Sequence, residues 1–197
     1  MDADAPAPYR DAKRAGRDAV ADRLLELADA RLASEGPGGL SMRRLANAAG
    51  CSTMVFYTAF GDKAGLTEAL AAREVDRWVD AALTHADPDP VAWLDATGRA
   101  LLALAAERPH HRDLVLTPPA VVDLGAAVRA AVADAWAASA PASSGADVAA
   151  AVWSAWRGAL AASDEVAEAA QVHAGVVQLW SATLARAAAT AGDDVVR

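Results

Sequence analysis

Isoleucine is missing from the 197 residues, lysine occurs only as Lys13 and Lys63, and the one cysteine is Cys51. A single thiol closes no internal disulfide and no cysteine-rich zinc site, which fits a reducing compartment, and the expected location is the cytoplasm. No apolar run reaches the roughly 18 residues of a membrane span. The start of the chain, acidic and proline-containing, has neither the basic residues nor the apolar stretch of a secretory signal. β-branched alternation and hairpin dipeptides are lacking, so a sheet is not expected. No glycine-rich phosphate loop or nucleophile elbow is found, and the sequence shows no catalytic residues and calls for no cofactor. His110 and His111 are neighbours that would leave a helix in different directions, without Glu-x-x-His or His-x-x-x-His spacing, so no metal is expected.

What is present is apolar and unevenly charged. Hydrophobic residues make up 54% of the chain and the formal net charge is -8. Residues 1–66 carry nine basic side chains (Arg10, Lys13, Arg14, Arg17, Arg23, Arg31, Arg43, Arg44 and Lys63) against nine acidic ones. Taken from totals of 18 and 26, that leaves nine basic and seventeen acidic residues beyond residue 66, so the whole excess lies there. A neutral N-terminal segment ahead of an acidic remainder orients the chain toward a polyanion by its first part.

The pattern predicts an all-α protein. Residues 1–16 lack periodicity and read as a flexible, solvated tail, in preference to an arm built from Arg10, Lys13, Arg14 and Arg17 because Asp11 and Asp18 are interspersed. From Arg17, the positions Val20, Leu24, Leu27, Ala28 and Leu32 recur at helical spacing until Gly36-Pro37-Gly38-Gly39 stops the run. Ser41 is placed to cap a short second helix through Ala49 that buries Met42, Leu45, Ala46 and Ala49, and Gly50 supplies the turn. Ser52 is placed to cap a third helix through about Thr58, and Asp62 to cap a fourth. Five or six further helices follow, broken at residues 87–90, Pro109, Pro118-Pro119 and 139–145. The divisions expected are a tail (1–16), a small helical domain (17–66) and a larger one (67–197).

Two short helices joined through a glycine turn, the second rich in small polar residues, have the form of a helix-turn-helix, in which the second helix enters a major groove about 12 Å wide. Ser52, Thr53, Met54 and Thr58 suit that helix. The longer stretch from Leu40 to Leu66, LSMRRLANAAGCSTMVFYTAFGDKAGL, resembles the DNA-binding signature of the tetracycline-repressor (TetR) family, matching at Leu45-Ala46, Ala49-Gly50, Ser52, Tyr57, Phe60, Lys63 and Leu66. The resemblance implies a DNA contact at Arg43 with Arg44 beside it, base-facing positions at Thr53 and Met54, a phosphate-binding hydroxyl on Tyr57, and a phosphate clamp at Lys63, where the start of the fourth helix adds its N–H groups. Val55 and Ala59 depart from it: Val55 stands where Thr is frequent and lacks its hydroxyl, and Ala59 stands where His or Tyr is frequent and lacks a backbone contact. Phe56 and Phe60 are expected in the small core, and Cys51 as an inert buried thiol.

All six tryptophans lie beyond residue 66, whereas both phenylalanines and both tyrosines precede residue 61. Segments Glu107–Val115 and Trp153–Leu160 resemble parts of the family's ligand-binding domain, with Arg157 where His is usual. Trp93, Trp136 and Trp153, with Arg157, are the candidate ligand-binding residues. The resemblance further implies a homodimer through the last two helices, a palindromic double-stranded DNA operator with half-sites about 34 Å apart, and a repressor released when a small-molecule effector moves the fourth helix. The competing expectation is a helical binding protein or bundle enzyme that no longer reads DNA.

Overall fold

The computed structural model describes residues 7–140, 145–162 and 166–195. Among them are nine α-helices, one 3₁₀ turn and no strand. The chain divides into two compact units, Met1–Ala72 and Arg73–Arg197. The division lies inside the fourth helix, later than the Leu66 boundary expected, because Leu66, Leu70 and Ala71 are all buried and prolong the helix's apolar face into the first unit.

In the first unit, α1 (Ala7–Glu35) ends in a 3₁₀ turn at Gly36–Gly39, followed by α2 (Met42–Ala49), α3 (Thr53–Phe60) and the start of α4 (Lys63–Leu83). The expected tail is corrected here: residues 7–16 are helical, and only residues 1–6 of it lie outside the described part. The reason is propensity without periodicity. Ala, Arg and Lys sustain a helix whether or not it has a face to bury, so these turns leave no apolar stripe in the sequence. Burial begins at Leu24 and Leu25 and continues at Ala28 and Leu32, whereas Val20, read as part of the stripe, is exposed.

Helix α2 buries Met42, Leu45 and Ala46, but Ala49, expected inside, is exposed. Gly50 takes the left-handed conformation (φ 67°), and the N–H groups of Cys51 and Gly50 donate to the carbonyls of Ala46 (3.0 Å) and Asn47 (3.2 Å). This Schellman closure sets the bend between α2 and α3, and a side chain at residue 50 would strain it. Ser41 and Ser52 occupy the N-cap positions with extended backbones, yet neither side chain accepts a capping hydrogen bond. Asp62 does cap α4: its Oδ1 accepts from Gly65 N–H at 2.9 Å. Helices α1, α2 and α3 pack on one another around Leu45 and Phe56, and Phe56 faces Phe60 at a ring distance of 6.2 Å. Phe60 and Cys51 are half-buried, so neither is enclosed as expected.

The second unit holds the rest of α4 with α5 (Pro90–Glu107), α6 (Pro109–Val115), α7 (Ala120–Ser139), α8 (Gly145–Ala161) and α9 (Val166–Val195). Asp89 caps α5, accepting from Val91 N–H at 2.9 Å with Pro90 at the first helical position, a combination that starts a helix without wasting a donor. Helix α5 packs against α9, and α8 packs against both α7 and α9. All six tryptophans are buried. Trp136 and Trp180 meet edge to face at 5.0 Å, and the Trp153 indole covers Gly125 on α7 so closely that a Cβ there would lie 2.6 Å from its Nε1.

Glu74 is buried on α4 and accepts four hydrogen bonds. Arg108 donates through Nε (3.0 Å) and Nη2 (3.2 Å), Arg77 through Nη1 (2.8 Å) and Trp78 through Nε1 (3.1 Å). A carboxylate this enclosed is tolerated only when every oxygen is paired in this way. No helix among the described residues is long and apolar enough to cross a membrane.

Candidate functional site

The residues expected to meet DNA lie in the first unit. Thr53, Met54, Tyr57 and Thr58 are exposed along α3, with Ser52 just ahead of it. Met54 is 67% and Tyr57 48% exposed, which is unusual for apolar and aromatic side chains in so small a helical unit. On the opposite side Phe56 is fully enclosed. Helix α3 is therefore held by its phenylalanines and presents the other face outward, the division of labour required of a helix that must be rigid and still enter a groove.

Individual side chains are less uniform. Arg43 is exposed on α2. Arg44, one residue on, turns back toward the first turn of the chain: its guanidinium pairs with Glu35 and donates to the Gly38 carbonyl at 3.3 Å. Glu35 also pairs with Arg31, and the hydrogen bond from Arg31, joined by that from Arg44, holds its carboxyl below the usual range although partial desolvation works the other way. Arg44 thus ties the end of α1 to α2. The Thr58 hydroxyl donates to Met54 O at 2.8 Å, so its hydrogen is engaged within the helix. Lys63 is exposed at the start of α4, but the Asp62 cap already occupies an N–H of that first turn.

Beside α3 runs a groove of about 390 Å³ that sequence reasoning missed. One wall is α3, with Ser52, Val55 and Ala59; the other is the early part of α1, with Lys13, Arg17 and Val20. It exists because α1 begins at Ala7, well before Val20, the first position of its apolar pattern.

In the second unit, Trp93 stacks on His85 at 6.0 Å and borders a hollow of about 300 Å³ beside α7. Trp136 and Trp153 are engaged in helix packing as described, and Arg157 is exposed on α8. A second hollow, of about 390 Å³, opens between α5 and α9, with Leu102, Ala106 and Ala169 among its apolar lining. At its polar end His173 Nε2 lies 3.0 Å from Asp95 Oδ1, and Arg99 pairs with Asp95 Oδ2 at 2.6 Å. Thr97 Oγ1, Trp156 Nε1 and His173 Nδ1 are buried without a hydrogen-bond partner. The Asp95–Arg99 spacing of four residues was a visible signal; the pairing with His173, on another helix, was not.

Residues 24–70 match the family described as bacterial regulatory proteins, tetR family, which spans α2, α3 and the flanking parts of α1 and α4. No curated protein matches the sequence. Among solved structures, a protein of unknown function from Rhodococcus sp. RHA1 is 27% identical, with 84% of this chain and 93% of that one aligned at a TM-score of 0.64. A TetR-family transcriptional regulator from Pectobacterium atrosepticum aligns over 84% of this chain and 94% of its own at 20% identity and a TM-score of 0.66. AibR, solved with isovaleryl coenzyme A and operator DNA, aligns over 81% and 96% at 16% identity and 0.55. Its helix-turn-helix segment is therefore that of the tetR family of bacterial regulatory proteins, and its all-helical fold is shared with solved TetR-family structures.

Proposed function

We propose that the chain is a sequence-specific repressor that binds a palindromic operator as a homodimer and leaves it when a small molecule occupies the second unit. The observation that carries the first part is the outward face of α3. Met54 and Tyr57 are 67% and 48% exposed, on a helix whose other face is locked by Phe56. A thymine methyl suits Met54, a phosphate oxygen suits the Tyr57 hydroxyl, and Arg43 and Lys63 supply charge at either side. Ser52, Thr53 and Thr58 complete the contact set, with Arg44 acting chiefly by fixing α2 on α1. A regulator of this kind works in the cytoplasm and needs no reaction of its own.

Dimerisation is supported by the outer face of α8 and α9. Leu179 is 69% exposed and borders, with Val148, Ala151 and Val176, an apolar hollow of about 320 Å³. A second copy related by a two-fold axis would cover that surface and place two α3 helices on one side of the duplex.

For the effector, the α5–α9 hollow offers an apolar body and one polar end, the usual composition of a small-molecule site. Asp95, Arg99 and His173 suit a compact, mostly apolar molecule with a polar head. Trp93, buried but lining its own hollow, is placed to meet a ligand there, while Trp136, Trp153 and Arg157 would act through packing or at the rim.

The test is selection from random duplex DNA at physiological salt, with Arg43→Ala/Tyr57→Phe/Lys63→Ala as control. A palindrome retained by the wild type and lost by the variant is the expected result. Failure of the folded wild type to enrich any sequence would overturn DNA reading and leave a helical small-molecule binder.

A further inference from the structure

Four cations stand on the part of α1 that precedes its buried stretch. Arg10, Lys13, Arg14 and Arg17 recur at intervals of three and four residues, so in a continuous helix they form one stripe about 100° wide and about 10 Å long. Asp11 and Asp18 fall beside this stripe and not within it. Residues 8–20 are exposed, apart from what they share with α3, and a helix that buries so little of itself gains little from being there by packing alone.

Its position supplies a reason. Lys13 and Arg17 form one side of the groove whose other side is the flank of α3. That flank is poor in donors: Val55 and Ala59 have none, and the Thr58 hydroxyl is given to Met54 O. Met54, outward on the reading face, borders the same groove, so a duplex seated on α3 would bring the sugar-phosphate strand at the edge of its major groove against this wall. Apolar Val20 and Val55 suit the deoxyribose face of that strand, and the ammonium and guanidinium of Lys13 and Arg17 suit its phosphates.

We propose that the early turns of α1 are a second DNA-contacting element, with Lys13 and Arg17 clamping the backbone strand beside α3 and Arg10 and Arg14 extending the contact along the duplex. This rests on the DNA-reading function proposed above. The contact reaches phosphates and no base edge, so it adds affinity and sets salt sensitivity without choosing sequence. It also reconciles a chain of net charge -8 with a polyanionic partner, since the cations are gathered at the one surface where they are needed.

The experiment measures binding to the selected operator and to an unrelated duplex, from low to moderate salt, for wild type, Lys13→Gln/Arg17→Gln and Arg10→Gln/Arg14→Gln. Glutamine keeps helix propensity, and circular dichroism checks that helicity is unchanged. Loss of four phosphate contacts per dimer should lower the log–log salt slope by about 3 to 4 for the Lys13/Arg17 pair and weaken both duplexes together by roughly tenfold or more, with the operator preference kept. Unchanged affinity and slope in Lys13→Gln/Arg17→Gln would overturn the proposal while leaving operator recognition intact. Wild-type protein that binds no duplex would overturn both readings.

Discussion

Arg108 reaches back across thirty-four residues to grip both oxygens of Glu74, Nε on Oε1 at 3.0 Å and Nη2 on Oε2 at 3.2 Å. The pair joins the break between α5 and α6 to the middle of α4. Arg108→Ala would take two hydrogen bonds from a carboxylate that is 1% exposed and still paired with Arg77, and should cost about 3 kcal/mol in denaturant unfolding. Glu74→Met combined with Arg108→Met, which removes the charge along with its partner, should be markedly less harmful than Arg108→Ala. Equal losses in the two proteins would contradict this account.

Gly98 on α5 lies under the imidazole of His173, and a Cβ there would fall 2.4 Å from His173 Nδ1. Gly98→Ala should destabilise the protein by about 1 to 3 kcal/mol through overpacking. His173→Ala in the same chain should recover stability, measurable as a non-additive double-mutant cycle. Additive losses would place the strain elsewhere.

Tyr57→Phe removes only a hydroxyl from a side chain 48% exposed. Thermal stability should stay within about 0.5 kcal/mol of wild type, while operator affinity falls by roughly five- to thirtyfold, the loss of one phosphate hydrogen bond worth about 1 to 2 kcal/mol. Phe56→Ala should do the opposite, losing about 3 to 5 kcal/mol of stability from a fully buried ring and abolishing binding by unfolding.

Glu35 is held below the usual carboxylate range by Arg31 and Arg44. A lowered folded value means that the stabilisation is fully present above the ordinary value of 4.5 and is lost as the pH falls through the lowered one. Arg31→Ala should therefore move the Glu35 titration, followed by carboxyl carbon NMR, upward toward its ordinary value, with Arg44→Ala giving a smaller shift in the same direction. A titration that stays put in Arg31→Ala would refute the assignment.

The α2–turn–α3 arrangement was legible because its determinants are local. Leu45 and Ala46 repeat at helical spacing, and Gly50 stands at the one place where a left-handed residue is required. The fourth helix was legible from Asp62 for the same reason. The start of α1 was not, because a helix made from Ala, Arg and Lys leaves no apolar period, and interspersed acids made residues 7–16 look like solvated chain. Ser41 and Ser52 were of the right type at the right positions, but side-chain rotation decides whether a hydroxyl caps, and sequence does not record it. The Asp95–His173 contact, 78 residues apart, depends on α5 meeting α9. Glu74 left a trace, falling between Leu70 and Trp78 on an apolar stripe, though nothing in one sequence named Arg108 as its partner.

The enclosure of all six tryptophans in the second unit, with both tyrosines in the first, divides the protein optically. Indole emission, selectively excited, reports the folding and occupancy of the second unit and is blind to the first. Circular dichroism follows both. Unfolding watched by the two signals side by side, with no label introduced, would therefore show whether the reading head melts ahead of the rest. An effector at the α5–α9 hollow, close to Trp156 and its unpaired Nε1, would announce itself in the colour of the emission before any DNA is added.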